Sequence, residues 1–185
     1  MMLNVNDIGH RRPLPLPWAA MLILACGLFV GCFRYSFSGA VPSHLKTIAV
    51  PLLQNQTAEF GIAERITDQV ISEFQRDNTL KIADPDNADA ILRGSLVRIE
   101  DEPYTYSGEG QGPAQNFSVG EYRLTLIVHL EYFDQTKSEV VWQKDFSNWG
   151  TYDHSTGSPD EREQGFDEAI KKLAEDILNQ TVSGW

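Results

Sequence analysis

Between Glu121 and Phe133 the side chains alternate strictly, with Tyr122, Leu124, Leu126, Val128, Leu130 and Tyr132 on one side and Arg123, Thr125, His129 and Glu131 on the other. A run of this kind is a strand with one buried face and one wet face, so the fold must contain a sheet covered on a single side. Two helical patterns supply the cover. From Ala58 to Arg76, the residues Ile62, Ile66, Val70 and Phe74 recur every four positions, with Thr57 as the expected cap. Near the C-terminus, Ser158, Pro159 and Glu161 read as cap, first-turn proline and capping-box partner. A stripe of Phe166, Ala169, Ile170, Leu173, Ile177 and Leu178 follows them.

The remaining strands are shorter signals. Lys46 to Leu53 is a β-branched apolar run whose Pro51 marks a strand end or an edge. The cluster Asp84-Pro85-Asp86-Asn87 turns the chain into a second strand, Ala88 to Glu100. Strand, helix and strand in this order imply a crossover joining two parallel strands. Glu139 to Phe146 returns from the polar turn Asp134 to Ser138 and pairs with the alternating strand as an antiparallel hairpin. Residues 101–120 hold four glycines and two prolines and form a long loop or a hairpin tip, and Asn148 to Gly157 forms a second loop. The expected class is α+β: a four-stranded mixed sheet with two helices packed on one face, in the order βαβββα.

Ahead of this domain lies a targeting segment. His10, Arg11 and Arg12 precede an apolar run from Trp18 to Val30, too short for the roughly 20 residues that a membrane-spanning helix needs. The run ends at Gly31-Cys32, a small residue before a cysteine, as in a bacterial lipoprotein processing site. Cleavage between Gly31 and Cys32 followed by lipidation of Cys32 gives the layout: 1–31 signal peptide, 32–43 lipidated tether, 44–185 a single domain. Of 185 residues, 154 remain after removal of the first 31. The loss of Asp7, Arg11 and Arg12 leaves 13 basic against 25 acidic residues, a net charge of −12. Such a surface suits nucleic acid poorly, because Lys and Arg on phosphates dominate that affinity. Cys26 leaves with the signal, so no thiol pair remains for a disulfide or a thiolate metal site.

No set of residues carries convincing catalysis, and neither cofactor nor metal is expected. Asp84, Asp86, Asn87 and Asp89 lack the register of a calcium loop, with Ala88 at a ligand position. His44, His129 and His154 include no pair four apart, and Asp153-His154-Ser155 cannot converge from adjacent positions. The glycines from Gly108 to Gly112 have no P-loop lysine. Aromatic residues are the unusual feature. Tyr104, Tyr106 and Phe117 around the first loop, and Trp149 and Tyr152 in the second, are candidates for a partner-binding surface, since Tyr and Trp bring large contact area at small entropic cost. With Tyr122, Trp142 and Phe146, half of this set equally suits a core beneath the helices.

Taken together, Gly31-Cys32, Tyr35-Ser36-Phe37-Ser38-Gly39, Pro42, the strand Lys46 to Val50, Asn55 and Thr57, Glu64-Arg65-Ile66-Thr67 and Ala88 to Gly94 resemble the lipopolysaccharide-assembly lipoproteins of the LptE type. The resemblance covers nearly all of the mature chain. It implies an outer-membrane lipoprotein, facing the periplasm of a Gram-negative-type bacterium and held to the membrane by its lipid. Such a protein partners and plugs a large lipopolysaccharide-export β-barrel, assists its assembly and lipopolysaccharide insertion, and touches lipopolysaccharide itself. Phe33 after the lipidated cysteine is consistent with that destination. Family members contact the lipid's phosphates through basic loop residues; here none lies between Asp101 and Gly120, and Arg93, Arg98 and Arg123 are the nearest. Residues 46–94 alone are also similar to lipoproteins that activate peptidoglycan synthases or form secretion pores, which is the alternative.

Overall fold

Leu124, Leu126, Val128, Leu130 and Tyr132 are all at most 1% exposed, so the alternation of the sequence becomes the inner face of a sheet. The protein is described by a computed structural model over residues 41–109, 116–153 and 159–183, with the side chains of 107–109, 116–118 and 159 outside the description. The signal peptide, Cys32, His154 and Ser158 therefore lie outside the described residues. In chain order the elements are β1 (Thr47–Ala49), β2 (Gln54–Asn55), α1 (Ile62–Asp77), β3 (Lys81–Ile82), β4 (Ala90–Glu109), β5 (Asn116–Asp134), β6 (Glu139–Asp153) and α2 (Pro159–Ser183).

The sheet has six strands rather than the expected four, in the order β3-β1-β4-β5-β6 with β2 also against β4. The additions are two-residue strands, too short to carry a period of two. The expected crossover is present: β1 and β4 pair in parallel, Ile48 opposite Ala90, and α1 lies between them in sequence. β1 ends at Ala49, two residues before Pro51, and β2 resumes beside β4 with Asn55 opposite Leu96. β4, β5 and β6 form an antiparallel meander.

One hydrophobic cluster joins Ile66, Val70 and Phe74 of α1 and Phe166, Ile170, Leu173 and Ile177 of α2 to the inner face of the sheet. Each such buried side chain contributes about 1.5–3 kcal/mol. Trp142, stacked on Tyr132 with centroids 5.6 Å apart, and the buried Phe146 serve this core. α1 starts later than expected. Its N-cap is Gly61, at φ 79°, with no side-chain cap bond, while Thr57 sits in the preceding turn under Asn55.

Of the two segments, 101–120, expected as a long loop or a hairpin tip, is a hairpin, and the start of the second, expected as a loop from Asn148, is strand. β4 and β5 extend through most of 101–120 as a hairpin, and β6 continues to Asp153. Gly150 reads as a turn residue, but its role is contact: a Cβ there would meet the Gly165 carbonyl oxygen of α2 at 2.1 Å. No described helix is long and apolar enough to cross a membrane.

Candidate partner-binding site at the root of the arm

Among the described residues, β6 pairs with β5 as far as Asp153, opposite Glu121, and beyond that level β4 and β5 pair with each other alone to Glu109 and Asn116. The result is a two-stranded arm. Its root contains two breaks of register, one between Pro103 and Thr105 and the next between Thr105 and Tyr106. Tyr104 is the residue left unpaired at the first of them, two positions on from Glu102, which lies opposite Arg123, and so on the Arg123 face.

Tyr104 thereby meets Arg123, whose guanidinium carbon lies 4.3 Å from the Tyr104 ring centroid and 4.7 Å from that of Trp149 on β6. The two rings are 6.0 Å apart and tilted by 41°. Lys172 of α2 completes the stack with its ammonium 4.2 Å from the Trp149 ring, while donating to the Trp149 carbonyl oxygen and to Glu168. Each cation over a ring is worth about 0.5–2 kcal/mol. The Glu168 carboxyl is held below its ordinary pKa by Lys172 first, then by the Thr151 amide.

Arg123 makes no ion pair with a carboxylate among the described residues, although Glu102 is its register partner on β4. The other described arginines all reach carboxylates: Arg65 those of Glu163 and Asp167, Arg76 that of Glu73, Arg93 that of Glu131, Arg98 that of Glu100, and Arg162 those of Glu59 and Asp101. Arg123 Nε is buried without a hydrogen-bond partner among the described residues. In a chain of net charge −11, a cation held between two rings without such an ion pair is a ready receptor for an anionic or carbonyl-rich partner group.

The opposite face of the root is closed. Tyr122 and Tyr152 stack at 5.6 Å, and Arg162 donates to Glu59 at 2.8 Å and to Asp101 at 2.9 Å. Burial, then the neighbouring Asp101, raises the Tyr152 pKa. Burial works against the charged Arg162, yet its bonds to Glu59 and Asp101 raise its pKa. Of the five aromatic candidates, Tyr104 and Trp149 converge on Arg123, Tyr106 stands 64% exposed on the arm, and Tyr152 belongs to the closed face. Phe117 lies in β5 with its side chain outside the described residues.

The other candidate groups have structural partners. Asp89 accepts from the Lys46 and Thr47 amides and the Thr47 hydroxyl, and Asp84 is bridged to Asn87 in a backbone turn. On the open face, a depression of about 390 Å³ is lined by Arg93, Ser95, His129, Glu131 and Gln143 among others. There the His129 ring lies between Asp145, 2.5 Å away, and Gln143, while the Ser95 hydroxyl accepts from Gln56. Register places Ser95, His129 and Asp145 in one row, but none of the hydrogen bonds between described residues joins Ser95 to His129. Sequence reasoning missed the role of Lys172, and it had Arg123 only as one basic strand residue among three.

Comparison with known proteins identifies the fold and the family. A protein of Xanthomonas campestris in the crystal superposes with a TM-score of 0.54 at 12% identity, covering 77% of this chain and 90% of that one. PelC of Paraburkholderia phytofirmans, crystallised as a dodecamer, gives 0.50 at 15% identity over 79% and 94%. Lipoprotein B of Nitrosomonas europaea, solved in solution, gives 0.49 at 12% identity over 82% and 90%. At these identities the likeness is one of fold alone. No curated protein matches the sequence. The lipopolysaccharide-assembly family LptE, however, matches residues 45–181, through the arm, β6 and α2 and well beyond the half that peptidoglycan-synthase activators share. The chain belongs to the LptE family of non-enzymatic, lipopolysaccharide-assembly lipoproteins of Gram-negative bacteria.

Proposed function

We propose that this protein is anchored to the periplasmic leaflet of the outer membrane by lipid on Cys32, after cleavage at Gly31, and that it partners and plugs a lipopolysaccharide-export β-barrel. The observation that carries this reading is Arg123, without an ion pair among the described residues, between Tyr104 and Trp149 at the base of an arm bearing the exposed Tyr106. A surface of this composition resembles the buried centre of a protein interface, where Arg, Trp and Tyr dominate the binding energy. The barrel gains a folded partner that steadies its assembly. Arg123, with Lys172 beside it, offers a contact for anionic groups of lipopolysaccharide passing the arm.

The chain enters the domain at the other end of β4 and β5. His44 donates to Asp134 at 2.7 Å, and Asp134 is opposite Ala90, the first residue of β4. Ten residues, Phe33 to Pro42, reach at most roughly 33 to 36 Å from the lipidated cysteine. The arm lies at the end of β4 and β5 opposite the one where the chain enters the domain. Copurification after mild detergent extraction tests the partnership: the tagged full-length chain is expected to bring down a large outer-membrane barrel, and its absence refutes the reading. Photocrosslinks from Tyr106 and Trp149 are expected on that same barrel, and Cys32→Ala is expected to remove both the lipid and the membrane association.

A further inference from the structure

Phe60 is 96% exposed, the most exposed of the large apolar side chains among the described residues, and it does not stand on a slack loop. The Asn55 side chain accepts from the Thr57 amide and hydroxyl through Oδ1 and donates to the Glu59 carbonyl through Nδ2, bracketing the turn from both sides. Glu59 is in turn gripped by Arg162. Gly61 then takes a left-handed φ of 79° and opens α1. The local role that a hydrophobic residue has just before an N-cap is to pack on the residue four positions into the helix. That residue is Arg65, which is engaged with Glu163 and Asp167, and the near-complete exposure of Phe60 shows that no such packing occurs. Fixing an aromatic ring in water on a turn held by four hydrogen bonds therefore has no explanation within the fold.

We infer that Phe60 is a docking knob for an apolar pocket with a basic rim on a protein partner. The charge around it selects that chemistry. Glu64 and Asp68 on the following turns of α1 are exposed and without an ion pair among the described residues, while the nearby cations Arg65 and Arg162 are both neutralised. An anionic lipid surface would be repelled by this rim, whereas Lys or Arg around a pocket would complement it. The knob is also tied to the strand that forms the arm, because the Arg162 that holds Glu59 holds Asp101 on β4, in the three-stranded part of the sheet below the arm. Given the barrel partnership proposed above, the same barrel meets both.

The test uses full-length, lipidated chain and the purified barrel. Phe60→Ala is expected to melt with the parent, since the ring touches little of its own fold, and to bind the barrel at least about tenfold more weakly. A photocrosslinker at position 60 is expected to label a barrel segment containing Lys or Arg. Equal binding by parent and Phe60→Ala overturns the inference while leaving the barrel partnership intact. Absence of binding by the parent overturns both. A lowered melting point makes Phe60 a structural residue, and crosslinking to lipid, or loss of binding to phosphatidylglycerol vesicles, makes it a membrane contact; either result overturns the inference.

Discussion

The two ends of the long strands β4 and β5 are built on opposite principles. At the end where the chain enters, polar groups are matched. Asp134 is 1% exposed and accepts from His44, from the Thr136 amide and hydroxyl and from the Lys137 amide; Gln135 donates to the carbonyls of Pro85 and Ala88. At the arm end, Arg123 has a buried Nε without a hydrogen-bond partner and no ion pair among the described residues, and rings of Tyr104, Tyr106 and Trp149 face solvent. The buried Asp134 is satisfied by its own chain, whereas Arg123 meets no carboxylate among the described residues. On the function proposed above, the first kind of residue holds the fold and the second serves recognition.

Substitutions should split along the same line. Asp134→Ala strands several donors at once and is expected to cost about 3 kcal/mol in chemical denaturation with barrel binding unchanged in the folded fraction. Acid should act at the same place. Burial opposes the Asp134 carboxylate, but the bonds from His44, Thr136 and Lys137 hold its pKa down at about 2. Its contribution is therefore full above the ordinary carboxylate value of about 3.9 and fades as pH falls toward 2, a decline that Asp134→Ala should lack when unfolding is followed across that range. Arg162→Ala, at a group 32% exposed, is expected to cost about 1 kcal/mol after allowance for solvent screening and to speed proteolysis of the arm. Arg123→Ala should cost stability less than about 1 kcal/mol but weaken the barrel complex by about tenfold or more, read in paired melting and binding assays. Tyr106→Ala should leave stability within about 0.5 kcal/mol and change binding alone. A large loss of stability at Arg123 or Tyr106, or a loss of binding at Asp134, would erase the distinction between the ends.

The parts of this fold that bury a continuous face were legible in the sequence. The inner residues of β5 and the stripes of α1 and α2 repeat often enough to define a period. What escaped was decided by local contact. β2 and β3 have two residues each, and exist because β4 and β1 offer them an edge. Pro103 and the acids of 101–109 argued for a loop, yet by then β4 has lost its neighbours on one side, so a proline needs no partner there. Asn148 and Gly150 carry turn chemistry, but the strand runs on because α2 approaches too closely for any side chain at Gly150. The Arg123 stack was hidden for a different reason: Glu102 lies opposite Arg123 and Thr125 opposite Trp149, so Tyr104, Arg123 and Trp149 share a face by plain alternation, but the sequence reads 101–120 as a loop or hairpin tip and so does not pair these strands at that level.

β4 runs unbroken in sequence from Ala90 to Glu109, twenty residues. At about 3.3 Å per residue that is a ruler of roughly 60 Å, with the incoming chain at its zero mark and the arm at its far end. Adding or removing a matched pair of residues on each strand would move the tip by about 7 Å while keeping every side chain on its own face. Strand length is thus a variable that evolution or an engineer can turn independently of both ends, and it sets how far the tip of the arm stands from the end where the chain enters.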